Sequence, residues 1–303
     1  MSQKKLMSIL TVDNIHKNYG SIEALKGVSF KVPERAVFGI LGPNGSGKTT
    51  LLGIILDVLK STSGSYQLFD ERPTKKHRQQ IGALLETPNF YHYLSAVQNL
   101  RIAARIKGRD ERDIGRVLDI VDLTKRKHSK FSTYSLGMKQ RLAVASCLLG
   151  DPSVLMFDEP TNGLDPVGIA ETRELIKKLN HEGKTIIMAS HLLDEVEKVC
   201  SHVAVLMKGT LITHGHVDEI LVNEDIVEIG AGSPDELLRL LQNFPGSSSV
   251  RKNGLYVEAV FASGDAQLDR INQYCFGKGI VLNHLRLRRK SLEAKFFELT
   301  KSN

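Results

Sequence analysis

The chain has 303 residues, of which 41% are hydrophobic and 25% are charged. This composition is typical of a globular protein with about two domains. Cys147, Cys200 and Cys275 are odd in number and widely spaced, which excludes a disulfide framework or a zinc cluster and indicates reduced thiols. Met1–Leu6 has no features of a signal peptide, and no apolar run approaches the ~18 residues of a membrane span. If the protein serves a membrane, another chain must cross it.

The net charge of +7 is concentrated in one segment. Residues 75–135 contain 13 Lys and Arg against 6 Asp and Glu, so this segment carries the whole excess. Such a segment is expected to face a polyanion or an anionic membrane surface. A solvated basic face without a partner is an equally open interpretation.

Hydrophobic patterning predicts an α/β chain in its first two thirds. Residues 9–32 alternate loosely and are expected to form an antiparallel strand pair. Buried strands are predicted at 36–41, 80–85, 153–158 and 184–190, helices at 50–56, 95–122 and 142–149, and a hairpin at 203–211. A mostly helical basic arm, about residues 87–150, therefore interrupts the α/β core.

Gly42–Thr49 matches the pattern G-x-x-x-x-G-K-[ST] between a predicted strand and a predicted helix. Glycines allow backbone N–H groups to surround a phosphate, and the helix N-terminus adds partial positive charge. Lys48 is expected to reach the β- and γ-phosphates, and the Thr49 hydroxyl to hold Mg²⁺. The alternative is a glycine-rich turn that binds nothing. With both flanks correct, the pattern predicts binding of a nucleoside triphosphate.

Two acids and a histidine follow later buried strands. Asp158 and Glu159 end one strand, which places both carboxylates at the edge where α/β folds bind ligands. Asp158 suits Mg²⁺, and Glu159 suits a general base for the attacking water. His191 follows the next strand and favours a γ-phosphate contact, although a lone histidine there is usually structural. Tyr19, before a turn, is able to stack on an adenine ring or simply to pack.

Beyond residue 220 the pattern changes to a βαββαβ order. A small α+β module related to the ferredoxin-like fold is predicted. It contains no catalytic constellation. Its predicted elements are strands at 225–229 and 280–287, a hairpin at 249–261, and helices at 233–240, 266–276 and 292–299.

Taken together, the phosphate loop, the acid pair, the aromatic turn residue and His191 resemble the ATP-binding subunit of an ABC transporter, over about residues 9–220. The resemblance implies catalytic roles for Lys48, Glu159 and His191. It implies a nucleotide site formed by Tyr19, Gly42, Pro43, Asn44, Gly45, Ser46, Gly47, Lys48, Thr49, Thr50, Ser135 and Gly137. It implies Mg²⁺ ligands at Thr49, Asp158 and Glu86. Ser135 and Gly137 would contact ATP that is bound to the opposite subunit of a head-to-tail dimer.

Two departures from the family pattern stand out. Ser135–Lys139 occupies the place of the Leu-Ser-Gly-Gly-Gln signature, with Met138 and Lys139 replacing Gly and Gln. Lys139 either directs charge toward a phosphate or faces solvent. Glu86 stands where the family usually has Gln, so an oxygen ligand is kept but the amide donor is lost. These departures and the C-terminal module resemble the exporter branch that includes bacitracin- and lantibiotic-type self-protection transporters.

The expected architecture is a P-loop NTPase core of the ABC ATPase type, with an antiparallel β subdomain and an inserted helical subdomain. The ATPase domain is predicted over residues 1–222 and the small α+β module over 223–303. The expected partners are ATP, Mg²⁺, a second ATPase subunit and a membrane permease, at the inner face of the cell membrane and without nucleic acid. Two alternatives stay open: an ABC ATPase that acts on ribosomes or nucleic acid, and a nucleotide-binding regulator with little turnover.

Overall fold

The chain separates into two units, Met1–Gly215 and His216–Asn303. A computed structural model describes residues 8–85, 89–221, 225–262 and 264–289. The predicted domain boundary after residue 222, the predicted metal ligand Glu86 and the predicted helix at 292–299 lie outside these ranges and stay predictions. The two units are therefore described separately.

The first unit contains the predicted α/β core. Its strands are β1 (Ser8–Tyr19), β2 (Ile22–Pro33), β3 (Val37–Leu41), β4 (Ser63–Leu68), β5 (Ile81–Leu84), β6 (Val154–Asp158), β7 (Thr185–Ser190), β8 (His202–Met207) and β9 (Thr210–His216). Its helices are α1 (Lys48–Ile55), α2 (Lys75–Gln79), α3 (Ala96–Lys107), α4 (Ile114–Ile120), α5 (Leu136–Leu148), α6 (Pro166–His181) and α7 (Leu193–Glu197). No helix in the described part of the chain is both long and apolar enough to cross a membrane.

A six-stranded sheet in the order β5-β6-β7-β3-β8-β9 forms the centre of this unit. Strands β5, β6, β7, β3 and β8 pair in parallel. Every residue of β3, β6 and β7 is buried, as expected when helices cover both faces of a parallel sheet. Parallel strands end at the same edge, so the residues that follow β6, β7 and β3 become neighbours.

A second sheet, in the order β2-β1-β4, is antiparallel. The pair β1–β2 confirms the prediction for residues 9–32. Strand β4 was not predicted, because Ser63-Gly64-Ser65 has weak strand propensity and only its pairing with β1 fixes it. The buried side chains of this sheet and those around α1 form one continuous hydrophobic cluster.

The basic arm is helical, as predicted, and its helices have clear end signals. Helix α3 begins at a capping box in which Ser95 and Gln98 satisfy each other's backbone N–H groups. It ends at Gly108, whose φ of 61° is left-handed. Helix α5 begins after Ser135, whose hydroxyl accepts a hydrogen bond from the Met138 N–H. Its Leu142–Leu149 end is largely buried.

The second unit contains α8 (Val217–Leu221), β10 (Asp225–Ala231), α9 (Pro234–Leu241), β11 (Ser247–Asn253), β12 (Tyr256–Phe261), α10 (Leu268–Gly277) and β13 (Leu282–Arg289). Its sheet has the order β11-β12-β10-β13, and its three strand pairings are antiparallel. This is the ferredoxin-like arrangement that the βαββαβ pattern predicted. Apolar residues of β10, β12, α9 and α10 form the core of this unit.

Candidate functional site

The phosphate loop connects β3 to α1, and two of its glycines are required by the space around them. Gly42 has a φ of 154°, and a Cβ atom there would lie 2.2 Å from the Leu206 carbonyl oxygen. Gly47 has a φ of 106° and its Cβ would lie 2.7 Å from the Ala24 carbonyl oxygen. Both positions therefore exclude any side chain. The sequence pattern found these glycines, and the contacts explain them.

Lys48 extends back over the loop that precedes it. Its ammonium group donates hydrogen bonds to the carbonyl oxygens of Gly42 at 2.7 Å and Pro43 at 3.2 Å. The same nitrogen lies 3.5 Å from Glu159 Oε1, and Lys48 is only 6% exposed. A buried ammonium needs such partners because desolvation is costly. Lys48 is thus held between the phosphate loop and the strand that carries the acids.

Thr49 and Asp158 meet across 109 residues of sequence. The Thr49 hydroxyl donates to Asp158 Oδ2 at 2.7 Å. Hydroxyl and carboxylate oxygens are hard ligands of the kind that Mg²⁺ prefers, and this ion usually completes its shell with waters and substrate phosphates. The described residues contain no group of three or more His, Cys, Asp or Glu side chains that would hold a metal alone. The pair therefore fits an ion that arrives with a nucleotide.

Glu159 and His191 form a second pair of side chains at the same edge of the sheet. Glu159 Oε2 lies 2.8 Å from His191 Nδ1 and accepts a long hydrogen bond of 3.4 Å from the His191 backbone N–H. Glu159 Oε1 is buried and accepts no hydrogen bond within the described residues. Since a carboxylate only accepts, the proton of this contact belongs to His191 Nδ1, and Nε2 is the ring nitrogen that does not face Glu159.

The backbone at Glu159 is unusual. Its φ of 49° is left-handed, which is uncommon for a residue with a side chain. The Glu159 N–H donates to the Ala189 carbonyl oxygen at 2.9 Å, and the Glu159 carbonyl accepts from the Asn162 N–H at 3.1 Å. These bonds fix a sharp turn directly after β6. The turn directs the Glu159 side chain toward Lys48 and His191.

The remaining predicted nucleotide contacts do not join this cluster within the described chain. Tyr19 ends β1 with 45% of its surface exposed, and the Lys17 ammonium lies 4.8 Å from its ring centre. Ser135 and Gly137 form no hydrogen bond to the phosphate loop, the acids or His191 in the parts of the chain described. The Lys139 ammonium lies 5.5 Å from the ring centre of Phe131.

One contact near the site escaped the sequence pattern. The Arg173 guanidinium binds the Glu195 carboxylate through two hydrogen bonds, at 3.0 and 3.2 Å. It joins α6, which follows the acid pair, to α7, which follows His191. No local motif predicts this ion pair, because the two residues are 22 positions apart in ordinary helical segments. Within the described chain, neither side chain is hydrogen-bonded to a predicted nucleotide ligand.

A parallel sheet whose edge carries a glycine-rich phosphate loop, a buried lysine, paired acids and a histidine defines a P-loop ATPase. Residues 25–162 match the model of the ABC transporter family. The chain is 38% identical over 301 residues to the uncharacterized ABC transporter ATP-binding protein YhcH of Bacillus subtilis (strain 168), with 97% of each chain covered. This chain belongs to the family of ABC transporter ATP-binding proteins.

Two further similarities give the family finer detail. The bacitracin transport ATP-binding protein BcrA of Bacillus licheniformis is 40% identical over 212 residues, which cover 68% of this chain and 69% of BcrA. A solved structure of the ATP-binding cassette MJ0796 is dimeric, in a post-hydrolysis state bound to ADP and Pi. It superposes with a TM-score of 0.59 at 26% identity, covering 69% of this chain and 98% of that chain. The chain is thus an ATP-binding and ATP-hydrolysing transporter subunit.

Proposed function

We propose that this subunit hydrolyses Mg²⁺-ATP at the edge formed by β6, β7 and β3 and thereby drives export through a separate membrane permease. The observation that supports this most strongly is the convergence of three sequence-distant segments at that edge. Lys48 lies 3.5 Å from Glu159, Glu159 lies 2.8 Å from His191, and Thr49 bonds to Asp158 at 2.7 Å.

Each residue of the cluster receives a distinct role in the proposal. Lys48, whose ammonium group lies over the phosphate loop, binds the β- and γ-phosphates. Glu159 orients and deprotonates the attacking water through Oε1, the oxygen that accepts no hydrogen bond among the described residues. His191 contacts the γ-phosphate from the ring nitrogen that does not face Glu159.

Thr49 and Asp158 would hold the metal ion, with Glu86 as a further oxygen ligand. When bound, Mg²⁺ neutralises charge on the phosphate oxygens. The residues of the loop itself, from Gly42 to Thr50, would bind the phosphates through backbone N–H groups at the start of α1. Tyr19, half exposed at the end of β1, would stack on the adenine ring.

A second ATPase subunit would complete the site in this proposal. Ser135 is the N-cap of α5 and Gly137 lies in its first turn, where N–H groups favour an anion. Since they form no hydrogen bond to their own phosphate loop in the described chain, we assign them to the nucleotide of the partner subunit. The dimeric MJ0796 structure supports this arrangement by similarity.

The similarity to BcrA, together with the departures in the signature, supports export rather than import. The basic arm would then lie near the anionic inner leaflet of the cell membrane, where its positive charge is favourable. The names of the relatives reported above are those of transport proteins. They favour the transporter over the alternatives of a ribosome-associated ATPase or a regulator with little turnover.

Affinity purification of the tagged full chain from detergent-solubilised membranes tests the proposal. We expect a membrane permease to co-purify and to stimulate phosphate release in lipid nanodiscs. A Lys48→Ala chain should still capture the permease but release no phosphate. Recovery of ribosomes or RNA instead of a membrane protein would refute the transport role, and phosphate release by Lys48→Ala would refute the proposed site.

A further inference from the structure

A pocket of about 320 Å³ lies beside β5, the edge strand of the core sheet. Its lining includes Ile81–Ala83 of β5 and Pro152, which precedes β6. The acid pair stands at the other end of β6, and the pocket lining includes none of the predicted nucleotide-site residues. We call this cavity the basic pocket. Its cations are Lys75, Arg78, Lys107 and Arg109.

The charge of the basic pocket is one-sided. Four cations line it, and the lining residues include no carboxylate. Arg78 pairs with Asp57 at 3.1 Å. In the described chain, Lys75, Lys107 and Arg109 have no carboxylate within ion-pair distance. Three positive charges therefore share the pocket without a carboxylate partner among the described residues.

Two of these cations are fixed by backbone carbonyls. The Lys107 ammonium donates to the Ser146 carbonyl oxygen at 2.6 Å, near the end of α5. The Arg109 guanidinium donates to the Gln79 carbonyl oxygen at the end of α2. Its aliphatic stem packs over Gly150, where a Cβ atom would lie 2.4 Å from Arg109 Cδ. Lysine has three donors and arginine five, so each cation keeps donors for a ligand.

The surroundings of Lys107 make its charge unfavourable without a ligand. Lys107 is exposed as a whole residue. Desolvation of its ammonium group is nevertheless the largest influence on its pKa; Cys147 raises the pKa and Arg109 lowers it, and the net result is a pKa below the ordinary value. The hydrogen bonds to the ends of α5 and α2 need only one donor each from Lys107 and Arg109. The convergence of further like charges is accounted for by an anion that binds between them.

We propose that the basic pocket binds a phosphate group. Its cations supply charge-assisted donors, as phosphate recognition requires, and its volume is at the lower limit of small-molecule sites. Apolar walls from Ile81 and Leu149 would contact the part of the ligand that bears the phosphate. The same chemistry is offered by the headgroup of an anionic phospholipid and by a free phosphate compound.

The test compares two double variants with the same net charge. Lys75→Gln/Lys107→Gln removes two pocket charges, and Gln at position 107 keeps a donor for the Ser146 carbonyl. Lys76→Gln/Lys125→Gln removes two exposed charges that do not line the pocket. Both are prepared as full chains with the nucleotide site saturated with Mg²⁺-ADP, so that the phosphate loop does not bind the probes.

Two probes distinguish the sources of the phosphate. Sedimentation with phosphatidylglycerol vesicles, against pure phosphatidylcholine, tests a lipid headgroup, and calorimetry with inorganic pyrophosphate tests a free phosphate. We expect at least one probe to bind about 25-fold more weakly to the pocket variant than to the control variant, from about fivefold for each lysine. Binding of neither probe by the parent, or equal losses in both variants, would overturn the proposal.

Discussion

Gly137 offers the sharpest test of the composite site. A Cβ atom built at this position has no neighbouring atom within 4 Å. Gly137 also lies in the first turn of α5, where an acidic side chain gains about 0.3–1 kcal/mol from the helix dipole. Gly137→Asp is therefore expected to leave the free energy of unfolding unchanged or slightly raised.

The same substitution should nevertheless abolish ATP-dependent association. If Gly137 approaches a phosphate on the partner subunit, a carboxylate about 4 Å from one phosphate charge costs about 4 kcal/mol at an effective dielectric constant of 20. Since 1.4 kcal/mol is a factor of ten, this corresponds to a ~10³-fold loss of affinity. The assays are phosphate release, sedimentation with ATP, and urea unfolding for stability.

Gly115 provides a matched control. It lies in the first turn of α4, and a Cβ atom there also has no neighbour within 4 Å. Gly115→Asp introduces the same charge on the same arm and should hydrolyse ATP like the parent. Parental turnover by Gly137→Asp, or an equal loss in Gly115→Asp, would refute the assignment of Gly137 to the partner's nucleotide.

Mixing two inactive chains extends this test. A Lys48→Ala chain keeps its signature, and a Gly137→Asp chain keeps its phosphate loop. In a head-to-tail dimer, a mixed pair has one site with both halves intact, so a 1:1 mixture should recover roughly a quarter of parental activity. A mixture as inactive as either chain alone would contradict a site shared between subunits.

Three further predictions concern the resident cluster and its supports. Glu159→Gln should lower phosphate release by roughly 10²–10⁴-fold, while a stable ATP-bound dimer persists in sedimentation. The control, Glu174→Gln at an exposed position, should hydrolyse ATP normally. Near-parental turnover of Glu159→Gln would refute the role of Glu159 as the base. Gly42→Ala should lower the unfolding free energy by about 2–4 kcal/mol in urea titrations, because the alanine Cβ would clash with a backbone carbonyl. An unchanged unfolding free energy would show that the phosphate loop rearranges to avoid this clash. Burial raises the pKa of Glu195, but Lys198 and Arg173 outweigh this effect and hold that pKa below its ordinary value of 4.5. The stability that Glu195 contributes is therefore complete above pH 4.5 and is lost as the pH falls through the lower pKa of the folded state. Arg173→Met should weaken this dependence of the unfolding free energy on acidic pH, and an unchanged dependence would contradict the ion pair.

The sequence predicted the core because its signals are local and agree with one another. The phosphate loop, the acid pair and His191 each follow a continuous apolar strand, and parallel pairing brings such strand ends together. The ferredoxin-like order of the second unit was likewise predictable from alternating short elements. Specific spacing of several motifs, rather than any one of them, made the family recognisable.

What the sequence could not predict depends on partners that are distant along the chain. Strand β4 has weak propensity and exists through its pairing with β1. The position of Lys139 over Phe131 depends on how the arm folds. The basic pocket joins charges from α2 and from the end of α3, which are about thirty residues apart and belong to different layers. The sequence shows the excess of positive charge in residues 75–135, but the position of the cavity depends on how these residues pack.

The fully buried strands beneath the catalytic edge have a consequence for motion. Strands β3, β6 and β7 each pair with a strand on both sides, and all their residues are buried, so hydrogen exchange of their amides should require global unfolding. The phosphate loop, the acids and His191 are anchored to this slowest-exchanging part of the unit. Conformational change during the ATPase cycle is therefore small at this edge of the sheet itself. It must be generated by parts that open at lower free energy, such as the arm that presents Ser135.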